Sequence, residues 1–122
     1  MREKIIRGLI LIVVFGLHEY FCRINEVILN FGISFGIEID KYFVLLLIIL
    51  LLVVLWRQMN KDYGIYLVFV GGLINLFDRL RFVGVRDYWN FFGLFYNNIN
   101  DWLIAIGVFL LFLKLWNLKE NK

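Results

Sequence analysis

Two aspartates in the C-terminal half of the chain, Asp87 and Asp101, carry side chains suited to acid–base chemistry on a peptide carbonyl. If they face each other in a half-dry site, both cannot ionise, so they share one proton and their pKa values split. One carboxyl group then acts as a base toward water while the other donates a proton to the carbonyl oxygen. Aspartates in a loop are also commonly just solvated, and the spacing alone leaves both interpretations open.

Further polar residues recur at helical spacing near these aspartates. Two helix faces are formed, one by Gly71, Asn75, Asp78 and Arg79 and the next by Asn98, Asp101 and Ala105. Polar groups within apolar segments are costly and therefore mark candidate functional sites. A structural polar cluster that only fixes helix packing is the alternative interpretation.

A third polar group lies near the end of the first apolar segment. Glu19 and Arg23 stand four residues apart, in the order that favours an ion pair on a helix. His18 and Cys22 form a second pair beside them, but a metal site there would need further ligands that the sequence does not supply. The pattern therefore predicts a helix end stabilised by the ion pair between Glu19 and Arg23.

The composition indicates that these residues lie in a membrane protein. Of the 122 residues, 62% are hydrophobic and 19% are charged, whereas soluble domains have about 45–50% apolar and about 25% charged residues. Small domains also leave roughly a third or more of their surface in water, so a mean hydropathy of +0.81 argues against a soluble monomer. The single cysteine excludes an intrachain disulfide, and the scattered basic residues offer no surface for nucleic acid.

Four uncharged runs predict an all-α polytopic membrane protein with a single membrane domain, residues 1–122. Snorkelling of flanking Lys and Arg extends these runs toward the ~20 residues that cross a bilayer. The expected transmembrane helices are about 5–23, 41–57, 62–79 and 98–116. The basic residues then divide into Arg2, Lys4, Arg7, Arg57, Lys61, Lys114, Lys119 and Lys122 on one side and Arg23, Lys41, Arg79, Arg81 and Arg86 on the other. The larger set predicts that both termini are cytoplasmic.

The two segments on the outer side differ in character. The first, about 24–40, ends in the alternating residues Ile37-Glu38-Ile39-Asp40, a period typical of a strand, and we expect a short hairpin there. The second, about 80–97, is rich in aromatic residues, which indicates a loop at the membrane interface.

In their order along the chain, these motifs resemble those of the signal peptidase II family, the bacterial lipoprotein signal peptidases. That family has Asn-x-Gly-x-x-Phe in its first outer segment, Asn-x-x-Asp-Arg at the end of its third helix, a catalytic Asp nine residues later and a second catalytic Asp at the start of its fourth helix. The matching residues here are Asn30-Phe31-Gly32-Ile33-Ser34-Phe35, Asn75-Leu76-Phe77-Asp78-Arg79, Asp87-Tyr88 and Asn97-Asn98-Ile99-Asn100-Asp101. Glu19 and Arg23 resemble the acidic and basic pair that ends the family's first helix.

The chain departs from the family pattern at several positions. Ile74 stands where the family has Gly, and Arg86 replaces an apolar residue before the catalytic Asp. The glycine of the third motif, Gly84, is displaced by one position. Asn97 and Asn100 replace Phe and Ala in the last motif, and the loop between the two aspartates is several residues shorter than usual.

The resemblance implies a membrane aspartic endopeptidase that removes the signal peptide from a prolipoprotein, cleaving before its diacylglyceryl-modified cysteine. It further implies four helices in the bacterial inner membrane, both termini in the cytoplasm, an active site near the extracytoplasmic face, and contact with membrane lipid. Asp87 and Asp101 would form the catalytic dyad, with no metal or organic cofactor required. The substrate-binding or dyad-supporting residues would be Asn30, Gly32, Asn75, Asp78, Arg79 and Asn98.

A non-enzymatic alternative is a small four-helix membrane scaffold or solute-conducting protein, including an inactive family member. In that case the polar cluster only packs helices. Replacing Asp87 or Asp101 by Asn separates the alternatives, because only an enzyme would lose processing while remaining folded and inserted.

Overall fold

The computed structural model describes residues 1–31 and 40–121, apart from the side chain of Lys41. Within them the chain forms four helices, α1 (Arg2–Ile24), α2 (Lys41–Trp56), α3 (Tyr63–Phe82) and α4 (Ile99–Glu120). It also forms four short strands, β1 (Ile28–Asn30), β2 (Val85–Asp87), β3 (Trp89–Phe91) and β4 (Phe95–Asn97). The protein is therefore mostly helical, with small antiparallel strand pairs at one end.

Three of the helices, α1, α3 and α4, are long and apolar enough to cross a membrane. The remaining helix, α2, is shorter, with an apolar stretch of Tyr42–Trp56. Each helix overlaps its predicted span, and α1, α3 and α4 continue past it by a few residues. These helices expose apolar side chains along their length, as expected for a surface covered by lipid.

Side-chain caps set the starts of α2, α3 and α4, and the cap of α4 is Asn98. The carboxylate of Asp40 accepts the backbone N–H groups of Tyr42 and Phe43 at the start of α2. At the start of α3, Asp62 accepts from Gly64 at 2.8 Å and also receives Lys114 Nζ of α4 at 2.6 Å. Caps of this kind satisfy N–H groups that lack a partner within the helix.

Glycines bring α3 and α4 into direct backbone contact. A Cβ on Gly107 would lie 2.5 Å from the carbonyl oxygen of Gly64, and one on Gly64 would lie 2.9 Å from that of Gly107. About two turns further along α3, a Cβ on Gly71 would lie 2.7 Å from the carbonyl oxygen of Asn100. Small residues of this kind are what allow membrane helices to pack closely, and they fix the height of α4 beside α3.

The strands pair in two antiparallel ribbons. β1 pairs with β2, with Ile28 opposite Asp87 and Asn30 opposite Val85, and β3 pairs with β4. The aromatic segment predicted as an interfacial loop is thus partly a hairpin, closed by a turn in which Phe92 and Gly93 have positive φ values of 51° and 75°. Of the hairpin expected near Ile37–Asp40, residues 37–39 lie outside the described part of the chain.

Val83, the first of the two residues between α3 and β2, has a left-handed backbone conformation. Its φ is 71°, and its backbone N–H bonds to the carbonyl oxygen of Arg79. This conformation is rare for a β-branched residue and is normally taken by glycine. The neighbouring Gly84 is also constrained, since a Cβ there would lie 3.0 Å from the carbonyl oxygen of Asn30.

Candidate active site

Asp87 is buried at the end of β2, with 1% of its surface exposed. Its Oδ1 accepts a hydrogen bond from Asn98 Nδ2 at 2.8 Å, and its Oδ2 accepts one from Asn30 Nδ2 at 3.3 Å. The β1–β2 ladder supplies Asn30, and the start of α4 supplies Asn98. Three separate elements therefore meet at this carboxyl group.

Asp101 lies in the first turn of α4, where its side chain completes a capping box. Its Oδ2 accepts the backbone N–H of Asn98 at 3.1 Å, and the side chain of Asn98 accepts the backbone N–H of Asp101 at 3.2 Å. Asn75 Nδ2 of α3 donates to Oδ1 of Asp101 at 3.4 Å. The reciprocal cap orients the carboxylate toward α3 and holds it beside Asp87.

The two aspartates interact electrostatically. Burial and, second to it, the negative charge of Asp101 raise the pKa of Asp87 to about 7, while hydrogen bonds from Asn98 and Asn30 oppose part of this increase. The positive charge of Arg79 also lowers the pKa of Asp87. A carboxyl group with a pKa near 7 populates both its protonated and its ionised form at neutral pH, so it can donate a proton and take it back.

A cavity of about 260 Å³ opens beside the two carboxyl groups. Its polar end is formed by Asn30, Asn75, Arg79, Asp87 and Asp101. Its remaining walls are largely apolar and come mainly from α2, with residues of α3, β2 and α4: Val44, Leu47, Ile48, Leu51, Leu52, Leu55, Val68, Gly72, Val85 and Ile104. The site therefore accommodates a ligand with a polar centre and a hydrocarbon portion.

Asp78 occupies a different position from its predicted companions. Asn75 and Arg79 line the cavity, whereas Asp78 is fully buried and bonded to His18 of α1 and to Arg86 of β2. The helix face predicted from spacing is thus divided between two clusters. Asp78 Oδ2 also accepts the backbone N–H of Arg86, the residue before Asp87, at 3.1 Å.

The predicted ion pair between Glu19 and Arg23 is wrong. Glu19 Oε1 instead lies 2.6 Å from Arg81 Nη2 and 2.5 Å from Arg86 Nη2. Both cations also lie near the buried carboxylate of Asp78, at 3.6 Å and 2.9 Å. Ion pairs between separate elements form instead, because Arg81 in the last turn of α3 and Arg86 of β2 both lie against Glu19 of α1, which local spacing cannot anticipate.

Several site residues were not identified from the sequence. Sequence spacing pairs His18 only with Cys22, and Tyr88 belongs to the patterns only as the residue after Asp87 in the aromatic segment, yet the side chains of His18 and Tyr88 are hydrogen-bonded to each other. Arg86 stood out only as a departure from the family pattern. Gly32 lies outside the described residues. In the part of the chain that is described, no group of three or more His, Cys, Asp or Glu side chains could hold a metal ion.

Apolar helices with two coupled aspartates at the polar end of a cavity have the parts of a membrane aspartic peptidase. Residues 5–117 match the family model for Signal peptidase (SPase) II, and the chain belongs to that family. It is thus an aspartic-type lipoprotein signal peptidase, a protease of lipoprotein processing in membranes. The family acts on lipoprotein precursors and is a bacterial inner-membrane family.

The fold is shared with solved structures. One bacterial membrane enzyme, determined by the in meso method at 2.3 Å resolution, is 25% identical, with a TM-score of 0.81 over 95% of this chain and 90% of that chain. A second, at 1.9 Å resolution, is 24% identical with a TM-score of 0.72 over 89% and 91% of the two chains, and it supports the fold alone. No curated protein sequence matches the chain.

Proposed function

We propose that Asp87 and Asp101 are the catalytic dyad and that the substrate is a diacylglyceryl-modified prolipoprotein, cut before its modified cysteine. The observation that carries this proposal is the electrostatic coupling of two carboxyl groups at the polar end of an otherwise apolar cavity. Asp87, with its pKa raised to about 7, holds the shared proton. Asp101 is the base that activates water.

The proton transfers follow from that assignment. Asp101 removes a proton from water as the water oxygen attacks the scissile carbonyl, and Asp87 donates its proton to the carbonyl oxygen. On collapse of the tetrahedral intermediate, Asp101 passes its proton to the departing amine and Asp87 recovers its own. Asn30 and Asn98 hold Asp87 and Asn75 holds Asp101, while Arg79 offsets negative charge at the pair.

The apolar walls from α2 suit the hydrocarbon parts of this substrate, namely the signal helix and the acyl chains. A lipid-anchored substrate presents its scissile bond close to the membrane surface, so the polar end of the cavity belongs at the same depth. We infer that Gly32, the second residue after the end of β1 in the sequence, serves the same site. We also infer that all four helices span the membrane and belong to one domain.

The proposed orientation places both termini in the cytoplasm and the dyad near the extracytoplasmic face. A common side for both termini is supported by two contacts at the opposite end of the molecule, where Arg7 Nη2 donates to the carbonyl oxygen of Asn60 and Lys114 pairs with Asp62, each at 2.6 Å, and the larger set of basic residues on that side favours the cytoplasm. These contacts place the start of α1, the turn after α2 and the C-terminal half of α4 together. A reporter fused after Lys122 that is active only in the cytoplasm should therefore be active.

The deciding experiment measures prolipoprotein processing in bacteria depleted of their own signal peptidase II. Wild type should restore processing, while Asp87→Asn and Asp101→Asn should each accumulate precursor and still be present in membranes at normal amounts. Asp40→Asn is the matched control, because Asp40 is exposed and asparagine caps a helix as well as aspartate does. Normal processing by both single variants would overturn the proposal, and loss of both from the membrane would favour a structural role for the carboxyl groups.

A further inference from the structure

A second buried polar cluster joins α1 to the residues that flank the proposed dyad. His18 of α1 is fully buried, with Nε2 2.8 Å from Asp78 Oδ2 and Nδ1 3.1 Å from the hydroxyl oxygen of Tyr88. The same hydroxyl oxygen lies 3.0 Å from the backbone nitrogen of Ile99. The cluster thus connects three helices, α1, α3 and α4, to Tyr88, the residue between β2 and β3.

The hydrogen positions in this cluster follow from the set of donors and acceptors. The N–H of Ile99 has only donor character, so the oxygen of Tyr88 accepts it and the phenolic proton remains to be donated. Its acceptor is Nδ1 of His18, which must therefore be unprotonated, and Nε2–H is left to donate to Asp78. This tautomer, assigned from the network, uses each of these groups once.

The partners of Tyr88 lie next to the dyad along the chain. Tyr88 directly follows Asp87, and its backbone N–H bonds to the carbonyl oxygen of Asn97 at 3.0 Å. Ile99 directly follows Asn98, the residue that caps α4 and also donates to Asp87. A bond from the side chain of Tyr88 to Ile99 therefore ties the start of α4, and with it Asp101, to the strand that carries Asp87.

We propose that His18 and Tyr88 form a positioning relay that sets the separation of Asp87 and Asp101. His18 fixes the rotation of the Tyr88 hydroxyl by accepting its hydrogen bond at Nδ1, and Asp78 fixes the imidazole by accepting a hydrogen bond from Nε2–H. The hydroxyl oxygen then presents its lone pair to the first turn of α4. This inference rests on the proposed dyad, and the residues of the relay do not themselves touch substrate.

The variant Tyr88→Phe tests the relay, because it keeps the ring that packs against Phe21 and Trp89 and removes only the hydroxyl. With Ile99 N–H released, Asp101 moves away from Asp87 and raises the pKa of Asp87 less. We expect kcat on a prolipoprotein peptide to fall at least tenfold with KM within twofold, and the alkaline limb of the pH profile to shift to lower pH. Tyr96→Phe, at a half-exposed tyrosine of β4, is the matched control and should leave both unchanged.

A purely structural role would reduce the amount of active enzyme without moving the pH profile, and that result would overturn the proposal. Failure of the dyad itself is recognised separately, since Asp87→Asn and Asp101→Asn would then process normally.

If Tyr88→Phe fails to fold, the histidine of the wild-type protein still reports on the relay. His18 is the only histidine of the chain, so ¹⁵N-histidine labelling gives one pair of ring signals. We expect Nε2 to carry a proton and Nδ1 to carry none. A proton on Nδ1 would overturn the relay.

Discussion

The side chain of Asn98 donates to Asp87 Oδ1 at 2.8 Å while its own oxygen accepts the backbone N–H groups of Asn100 and Asp101, at 2.8 Å and 3.2 Å. One amide group therefore performs two functions. Its oxygen begins α4, and its nitrogen holds the first aspartate of the proposed dyad. The position of Asp87 is thereby coupled to the folding of the helix that carries Asp101.

Replacements of Asn98 should separate these two functions. Asn98→Ser retains a capping oxygen but is too short to reach Asp87, whereas Asn98→Ala loses both. Because the bond from Asn98 lowers the pKa of Asp87, both variants should move the alkaline limb of activity to higher pH. Only the alanine variant should also lose about 1 kcal/mol from the missing cap, as measured by thermal unfolding in detergent. Equal stability of the two variants would contradict this division.

The raised pKa of Asp87 predicts a pH dependence of stability. The folded protein retains this proton up to about pH 7, while an unfolded aspartate loses it near pH 4. Between these values the folded state binds more protons, so stability falls as pH rises, by at most about 1.4 kcal/mol per pH unit. Asp87→Asn removes the titrating group and should gain stability relative to wild type across this interval. Thermal midpoints from pH 4 to pH 8 test this, and parallel curves for the two proteins would refute it.

The contact between α3 and α4 predicts opposite effects for two glycine-to-alanine changes. Gly107→Ala introduces a Cβ 2.5 Å from a backbone oxygen and 2.7 Å from Val68 Cγ2, so the helices must separate at a cost of about 1–3 kcal/mol. A Cβ on Gly16 of α1 would have no other atom within 4 Å. Gly16→Ala should therefore stabilise the protein by up to about 1 kcal/mol through helix propensity. Denaturant or thermal unfolding in detergent provides the comparison, and similar effects of the two changes would show that the contact is loose.

The left-handed conformation of Val83 predicts that glycine is better there. Val83 is 52% exposed, so Val83→Gly loses little packing and relieves about 1 kcal/mol of backbone strain. The same change at Val13, 56% exposed within α1, should instead cost about 0.5 kcal/mol because glycine weakens a helix. Opposite shifts of the unfolding midpoint are expected, and destabilisation by Val83→Gly would show that the conformation at this position is not strained.

Local patterns were sufficient to predict the helices and most of the polar end of the cavity. Long uncharged runs ended by charged residues delimit α2 and α3 closely, and the spacing of Asn98 and Asp101 indicated the face that begins α4. The strands were harder to predict, because three residues are too few to show an alternating period. β1 and β2 are recognised as strands only through their pairing with each other, and that pairing joins segments more than fifty residues apart.

The second buried cluster could not be predicted from spacing, because its partners are distant in sequence. His18 and Tyr88 lie 70 residues apart, and each has a plausible local neighbour that turns out not to be its partner. The same holds for Glu19, whose charge is balanced by Arg81 and Arg86 rather than by Arg23. In an apolar chain a buried charge must find an opposite charge wherever the fold provides one.

The shape of the cavity has a consequence for inhibitor chemistry. A compound that only mimics the tetrahedral carbon would engage the aspartates but leave the wall formed by Leu47, Leu51 and Leu55 without contacts. Adding an alkyl chain to a hydroxyl-bearing core should increase potency with each methylene group until the wall is covered, at about 0.8 kcal/mol per buried methylene. Such compounds concentrate in the bilayer before they bind, so their apparent potency depends on lipid volume as well as on aqueous concentration.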